Sequence, residues 1–153
     1  MNREMPMTSF LSRRGLILGA AIGLLAGAPL AQAKPMTVTI PLTGAAQVPP
    51  VTTAGHGSAR ITYDAATHKL SWSVSYSGLG SPVTMAHFHN GGAGKNGPVV
   101  LWISKKGGKV KSPLTGSATL TPMQAKLLMG GDLYVNVHTK NHPAGAIRGQ
   151  VKM

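Results

Sequence analysis

Leu70-Ser71-Trp72-Ser73-Val74-Ser75-Tyr76-Ser77 alternates apolar and polar residues without a break. In an extended chain successive side chains point to opposite faces, so Leu70, Trp72, Val74 and Tyr76 line a dry face while the serines between them meet water. The stretch reads as a β-strand with one face on a core. The same period of two recurs on both sides of it: strands are predicted over Met36–Leu42, His56–Tyr63, Val83–His89, Pro98–Ile103, Thr115–Leu120, Leu133–His138 and Ala146–Val151. Glycine, proline and asparagine separate these runs as turn formers.

One helix is signalled. Thr121-Pro122-Met123-Gln124 puts threonine at an N-cap, proline at the first helical position and glutamine where a capping box needs it, and Gly130-Gly131 stops the run. At roughly two turns it is a connector. Short strands at spacings of about ten residues with a single small helix predict an all-β fold, an antiparallel β-sandwich or flattened barrel.

The first 33 residues are read apart from the fold. A basic region ending in Ser12-Arg13-Arg14-Gly15 runs into an apolar segment from Leu16 to Leu30, and Ala31-Gln32-Ala33 offers small residues where a signal peptidase cuts. Residues 1–33 are thus expected to be a cleaved export signal, with no retained transmembrane segment. The paired arginines resemble a twin-arginine signal, and an ordinary secretory signal is the alternative reading. Either route places the mature chain in a periplasm or outside the cell. Residues 34–153 are expected to form one domain, being close to the modal domain length.

That domain contains no cysteine, so neither a disulfide nor a thiolate ligand or nucleophile is available. Without Arg3, Arg13, Arg14 and Glu4, the chain keeps 12 basic and 2 acidic side chains, a net charge of +10 with histidine neutral. Asp64 and Asp132 alone are acidic there. Paired-carboxylate catalysis and calcium or magnesium sites, which need several hard oxygen ligands, are disfavoured. The positive balance suits an anionic envelope surface, and Lys105, Lys106, Lys109 and Lys111 cluster in a glycine-rich turn. No aromatic residue interleaves with these lysines, so nucleic-acid binding is not expected.

The chemistry lies in the histidines. In Met85-Ala86-His87-Phe88-His89 the two imidazoles share one face of a strand with Met85, and Phe88 points the other way toward a core. In Leu133-Tyr134-Val135-Asn136-Val137-His138 the apolar face is Leu133, Val135 and Val137, which places His138 with Tyr134 and Asn136 opposite. Neighbouring strands would bring His87, His89 and His138 to one centre. Three neutral imidazoles suit copper or zinc, and a thioether from Met85 would favour Cu(I). The alternative is that these histidines hydrogen-bond loop carbonyls at strand ends.

Other histidines are open to two readings. His142, four residues beyond His138 in a turn, is either a fourth ligand or an exposed turn residue, and His56 between Gly55 and Gly57 stands the same way. His68 sits in a polar hairpin turn where exposure is expected. Arg148 either orients an anion near the histidines or binds backbone carbonyls. No Ser-His-Asp arrangement is marked by its context.

Four ordered phrases, Leu42-Thr43-Gly44-Ala45-Ala46-Gln47-Val48-Pro49-Pro50, the run from Ala86 to Val100, Leu133 to Thr139 and Gly145-Ala146-Ile147-Arg148-Gly149-Gln150, closely resemble the CHRD domain, named from chordin. The resemblance implies a Greek-key-like sandwich similar in outline to the copper/zinc superoxide dismutase barrel. It also implies a copper site with His87, His89 and His138 as ligands. The chain departs from the common pattern at Ala146, where an acidic residue usually precedes Ile-Arg-Gly.

Three functions follow as expectations. The leading one is an exported, periplasmic copper-binding protein that buffers, stores or delivers the ion. A non-metal adhesion module with a cationic face is the second. A superoxide dismutase-like enzyme is the third and is disfavoured, because a zinc sub-site built on an aspartate has no counterpart and no disulfide can form. Monomer and homodimer are equally compatible with the chain.

Overall fold

A computed structural model describes Met1, residues 33–104, Gly107 and residues 110–153. The export signal expected over residues 1–33 therefore falls almost wholly outside the described residues, as do Lys105, Lys106 and Lys109.

Eight strands form in the order β1 (Met36–Thr43), β2 (His56–Asp64), β3 (Lys69–Ser77), β4 (Val83–Asn90), β5 (Val99–Ser104), β6 (Leu114–Thr119), β7 (Leu133–Thr139) and β8 (Ile147–Gln150), with helix α1 (Pro122–Met129) before β7. Each expected strand is present, its ends within one residue of the periodicity. In β3 the alternation is literal: Leu70, Trp72 and Val74 are buried, and Ser71, Ser73 and Ser75 lie on the wetter side.

The strands make one antiparallel sheet in the order β5-β4-β7-β8-β1-β2-β3-β6. Its edges β5 and β6 curl back toward each other, so the sheet is a nearly closed, flattened barrel. Strands β4, β5 and β6 follow in sequence, and β7 returns to lie beside β4, the Greek-key arrangement. The barrel interior holds Leu42, Ile61, Leu70, Val74, Phe88, Val135, Val137 and Ile147. Trp72 meets Phe88 edge to face across it, their centroids 5.6 Å apart.

Helix α1 starts as its sequence dictates. Thr121 Oγ1 accepts from the Gln124 N–H at 3.2 Å, and Gln124 Oε1 accepts from the Thr121 N–H at 2.9 Å. Gln124 Nε2 also donates to the Val100 carbonyl at 2.8 Å, tying the helix to β5. Among the described residues no helix is long and apolar enough to cross a membrane.

The outer face of β7 differs from the simple alternation. Every residue of β7 is buried, including Tyr134, Asn136 and His138 on the side away from the barrel interior. Three loops cover that side and give its polar groups partners. Gln47 Nε2 donates to Asn136 Oδ1 at 2.8 Å, Asn136 Nδ2 donates to the Ala144 carbonyl at 3.4 Å, and Asn96 Nδ2 donates to the Val48 carbonyl at 2.6 Å. A second, polar layer thus lies over β4 and β7.

Candidate metal centre

His87 and His89 come from β4 and His138 from β7, which pair antiparallel. The register sets Met85 opposite His138, His87 opposite Asn136 and His89 opposite Tyr134. His138 thus reaches His87 diagonally, a spacing within range of long side chains. The ring centroids lie 5.3 Å (His87 to His89), 4.9 Å (His87 to His138) and 5.7 Å (His89 to His138) apart. One nitrogen from each ring falls within 4.8 Å of those of the other two, and all three residues are buried.

The tautomers follow from the partners. A carbonyl oxygen only accepts, so His89 Nδ1, 2.9 Å from the Gly97 carbonyl, carries a proton, and so does His138 Nδ1, 2.9 Å from the Pro143 carbonyl. In the neutral rings each Nε2 then presents a lone pair. His89 Nε2 is buried and has no hydrogen-bond partner. His138 Nε2 lies 3.2 Å from His87 Nδ1, and His87 Nε2 is again buried and unpartnered. Backbone carbonyls that hold the distal nitrogen of a histidine are the usual outer support of a metal ligand. Two buried, unpartnered ring nitrogens also leave a deficit that an ion would remove.

The electrostatics favour neutral rings. Burial, with the neighbouring His138 and His89 adding to it, pushes His87 down to about 4. Burial lowers His89 and His138 as well, opposed in each by the carbonyl that accepts from the ring. All three are therefore free bases near neutrality, the form that binds metal.

Arg148 fixes the loop that serves His89. It is 2 % exposed and stands 3.5 Å over the Tyr134 ring, which in turn stacks on His89 at 4.9 Å. Its Nη2 donates to the carbonyls of Gly92 and Lys95 at 3.1 and 2.9 Å and to Gln150 Oε1 at 3.3 Å, and its Nη1 donates to Asn96 Oδ1 at 3.2 Å. Of the two readings of this residue, the carbonyl-binding one holds. Burial lowers its pKa, but a guanidinium remains charged, and neutral oxygens plus a ring face compensate it in place of a carboxylate. Gly97 closes the loop: a Cβ there would overlap the Asn90 carbonyl oxygen, so the chain needs glycine where it turns back to His89.

The remaining histidines take other places. His56 is exposed on the far part of the sheet, with Nδ1 3.2 Å from the Ala54 carbonyl and Nε2 3.0 Å from Ser77 Oγ. His68 occupies a turn at φ 56° and meets the Tyr63 ring edge-on. His142 caps a turn through its backbone, its N–H donating to Thr139 Oγ1 at 3.1 Å, and it stands outside the three-histidine group.

Sequence reasoning missed Trp102. It pairs with His87 across β4 and β5, and its ring stands edge-on to that imidazole at 4.2 Å. Register shifts between Ala86 and His87 and between Phe88 and His89 break the alternation there, so parity along β5 did not reveal it. The available signal was a tryptophan within an edge-type strand one loop downstream of a His-x-His.

The family model of the CHRD domain matches residues 38–151. No curated protein and no solved structure matches the chain.

Proposed function

The chain belongs to the CHRD domain family, and from that membership together with its buried histidine cluster we propose that it is an exported metal-binding protein whose ligands are His87, His89 and His138. Its ion is copper, with zinc as the competitor, and its task is to buffer, store or deliver that ion rather than to catalyse. Residues 1–33 act as the export signal, and residues 34–153 work in a periplasm or outside the cell.

One observation carries the reading: three buried, neutral imidazoles, two of them held by loop carbonyls so that each turns the lone pair of its Nε2 inward, with His87 Nε2 and His89 Nε2 lacking any partner. Imidazole donors without thiolate or carboxylate fit copper and zinc and fit hard cations poorly. A resting site of this kind binds an ion with its donors already placed.

The test is titration of residues 34–153 with Cu(I), Cu(II) and Zn(II), read by thermal melting and by metal analysis after gel filtration. At a free ion concentration 100 times the dissociation constant, binding adds about 2.7 kcal/mol, a rise in melting temperature on the order of 10 °C for a domain of this size. One equivalent of copper is expected, and the double variant His87→Ala/His89→Ala is expected to retain none. Melting unmoved by all three ions would sink the proposal.

A further inference from the structure

We infer that Trp102 is the outer wall of the histidine centre and sets which ion it prefers, an inference that rests on the metal-binding reading above. His87 is 3 % exposed although its strand neighbours the sheet's edge strand, and Trp102, 44 % exposed, is the residue across from it on that edge. The indole stands perpendicular to the imidazole, at 85° with centroids 4.2 Å apart, as close as an edge-to-face pair comes. On the other sides the centre is closed by the loops that carry Gly97 and Pro143, whose carbonyls hold His89 and His138. On the β5 side, the partly solvent-exposed indole of Trp102 stands edge-on against His87.

Such a wall discriminates between ions by what each needs beyond three nitrogens. Zn(II) in a three-histidine site completes a tetrahedron with water, and Cu(II) adds ligands toward a tetragonal arrangement. Cu(I) is satisfied by three donors and gains nothing from water. An apolar ring that supplies no donor and excludes water therefore penalises the divalent ions and spares Cu(I). Because Trp102 lies on an edge strand and has a solvent-exposed half, it is also the side chain that can turn aside with the least disturbance to the barrel, so ions enter and leave past it.

The experiment compares residues 34–153 of the wild type, Trp102→Ala and Trp102→Phe. Dissociation constants for Cu(I) and Zn(II) are measured by competition with chromophoric chelators, and the rate of metal removal by excess chelator is recorded. In Trp102→Ala the preference for Cu(I) over Zn(II) is expected to fall by at least tenfold and removal to quicken by a similar factor, while Trp102→Phe keeps most of both. A merely structural indole would weaken both ions alike and leave their ratio unchanged. An unchanged ratio and an unchanged removal rate in Trp102→Ala, with both ions still bound, overturn the role of Trp102 alone. If neither ion binds any of the three proteins, the metal-binding reading itself fails, and this inference with it.

Discussion

At the scale of single residues, the candidate centre depends on groups that never touch it. Arg148 gathers Gly92, Lys95 and Asn96, and the same loop ends in the Gly97 carbonyl that accepts from His89 Nδ1–H. Arg148→Met should therefore loosen the loop and lower copper affinity by about 10- to 100-fold, measured by chelator competition. Arg148→Lys should restore little of it, since an ammonium cannot span the acceptors that a planar guanidinium reaches. Affinity retained in Arg148→Met would mean that His89 is held by its own strand. The histidines also dictate an acid response. His87 titrates at about 4 when folded and near 6.5 when unfolded, and His89 and His138 shift in the same direction. The unfolded chain thus takes up protons first as pH falls. Stability of the metal-free domain should be full above pH 6.5, decline from there to about pH 4, and decline less steeply in His87→Gln; urea midpoints at pH 7.5, 5.5 and 4.5 measure it.

At the scale of elements, strands and helix were legible because each repeats a local rule. Alternation in Leu70–Ser77 needs no knowledge of neighbours, and Thr121-Pro122-Met123-Gln124 contains its own cap. Removing that cap with Thr121→Ala should cost about 1 kcal/mol, seen as a lower urea midpoint, while leaving copper affinity where it was. The His87-x-His89 pair was legible for the same reason as the strands, and His138 followed from parity on β7. What parity could not tell is that the outer face of β7 is dry. Asn136 looks like a solvated residue in its own strand, and only Gln47, some 89 positions away in sequence, and the Ala144 carbonyl make it a buried one. Trp102 escaped because β4 carries two register shifts against β5. Loops prove as exacting as strands here. Gly145, at φ 132°, sits where a Cβ would meet the Asn136 amide and Gln47, and Gly145→Ala should disturb this layer and, through the Pro143 carbonyl, His138. Reduced copper affinity and a lower melting temperature together are the expected result.

At the scale of the whole molecule, the proposed ligands His87 and His138 stand 51 residues apart in sequence and meet only because β7 returns past β5 and β6 to lie beside β4. Pairings of such sequence separation form late, after loop-closure entropy has been overcome. In a chain still unfolded, His87 and His89 are the most closely spaced pair of histidines, a two-donor site open to water. Copper should accordingly leave the refolding rate of residues 34–153 almost unchanged and slow unfolding in proportion to its affinity, as stopped-flow traces with and without the ion would show. On the proposed metal-binding reading the ordering would have a temporal meaning for the cell: an ion in this centre would have been captured after the barrel had closed, so occupancy would record the age of the fold as well as the supply of metal.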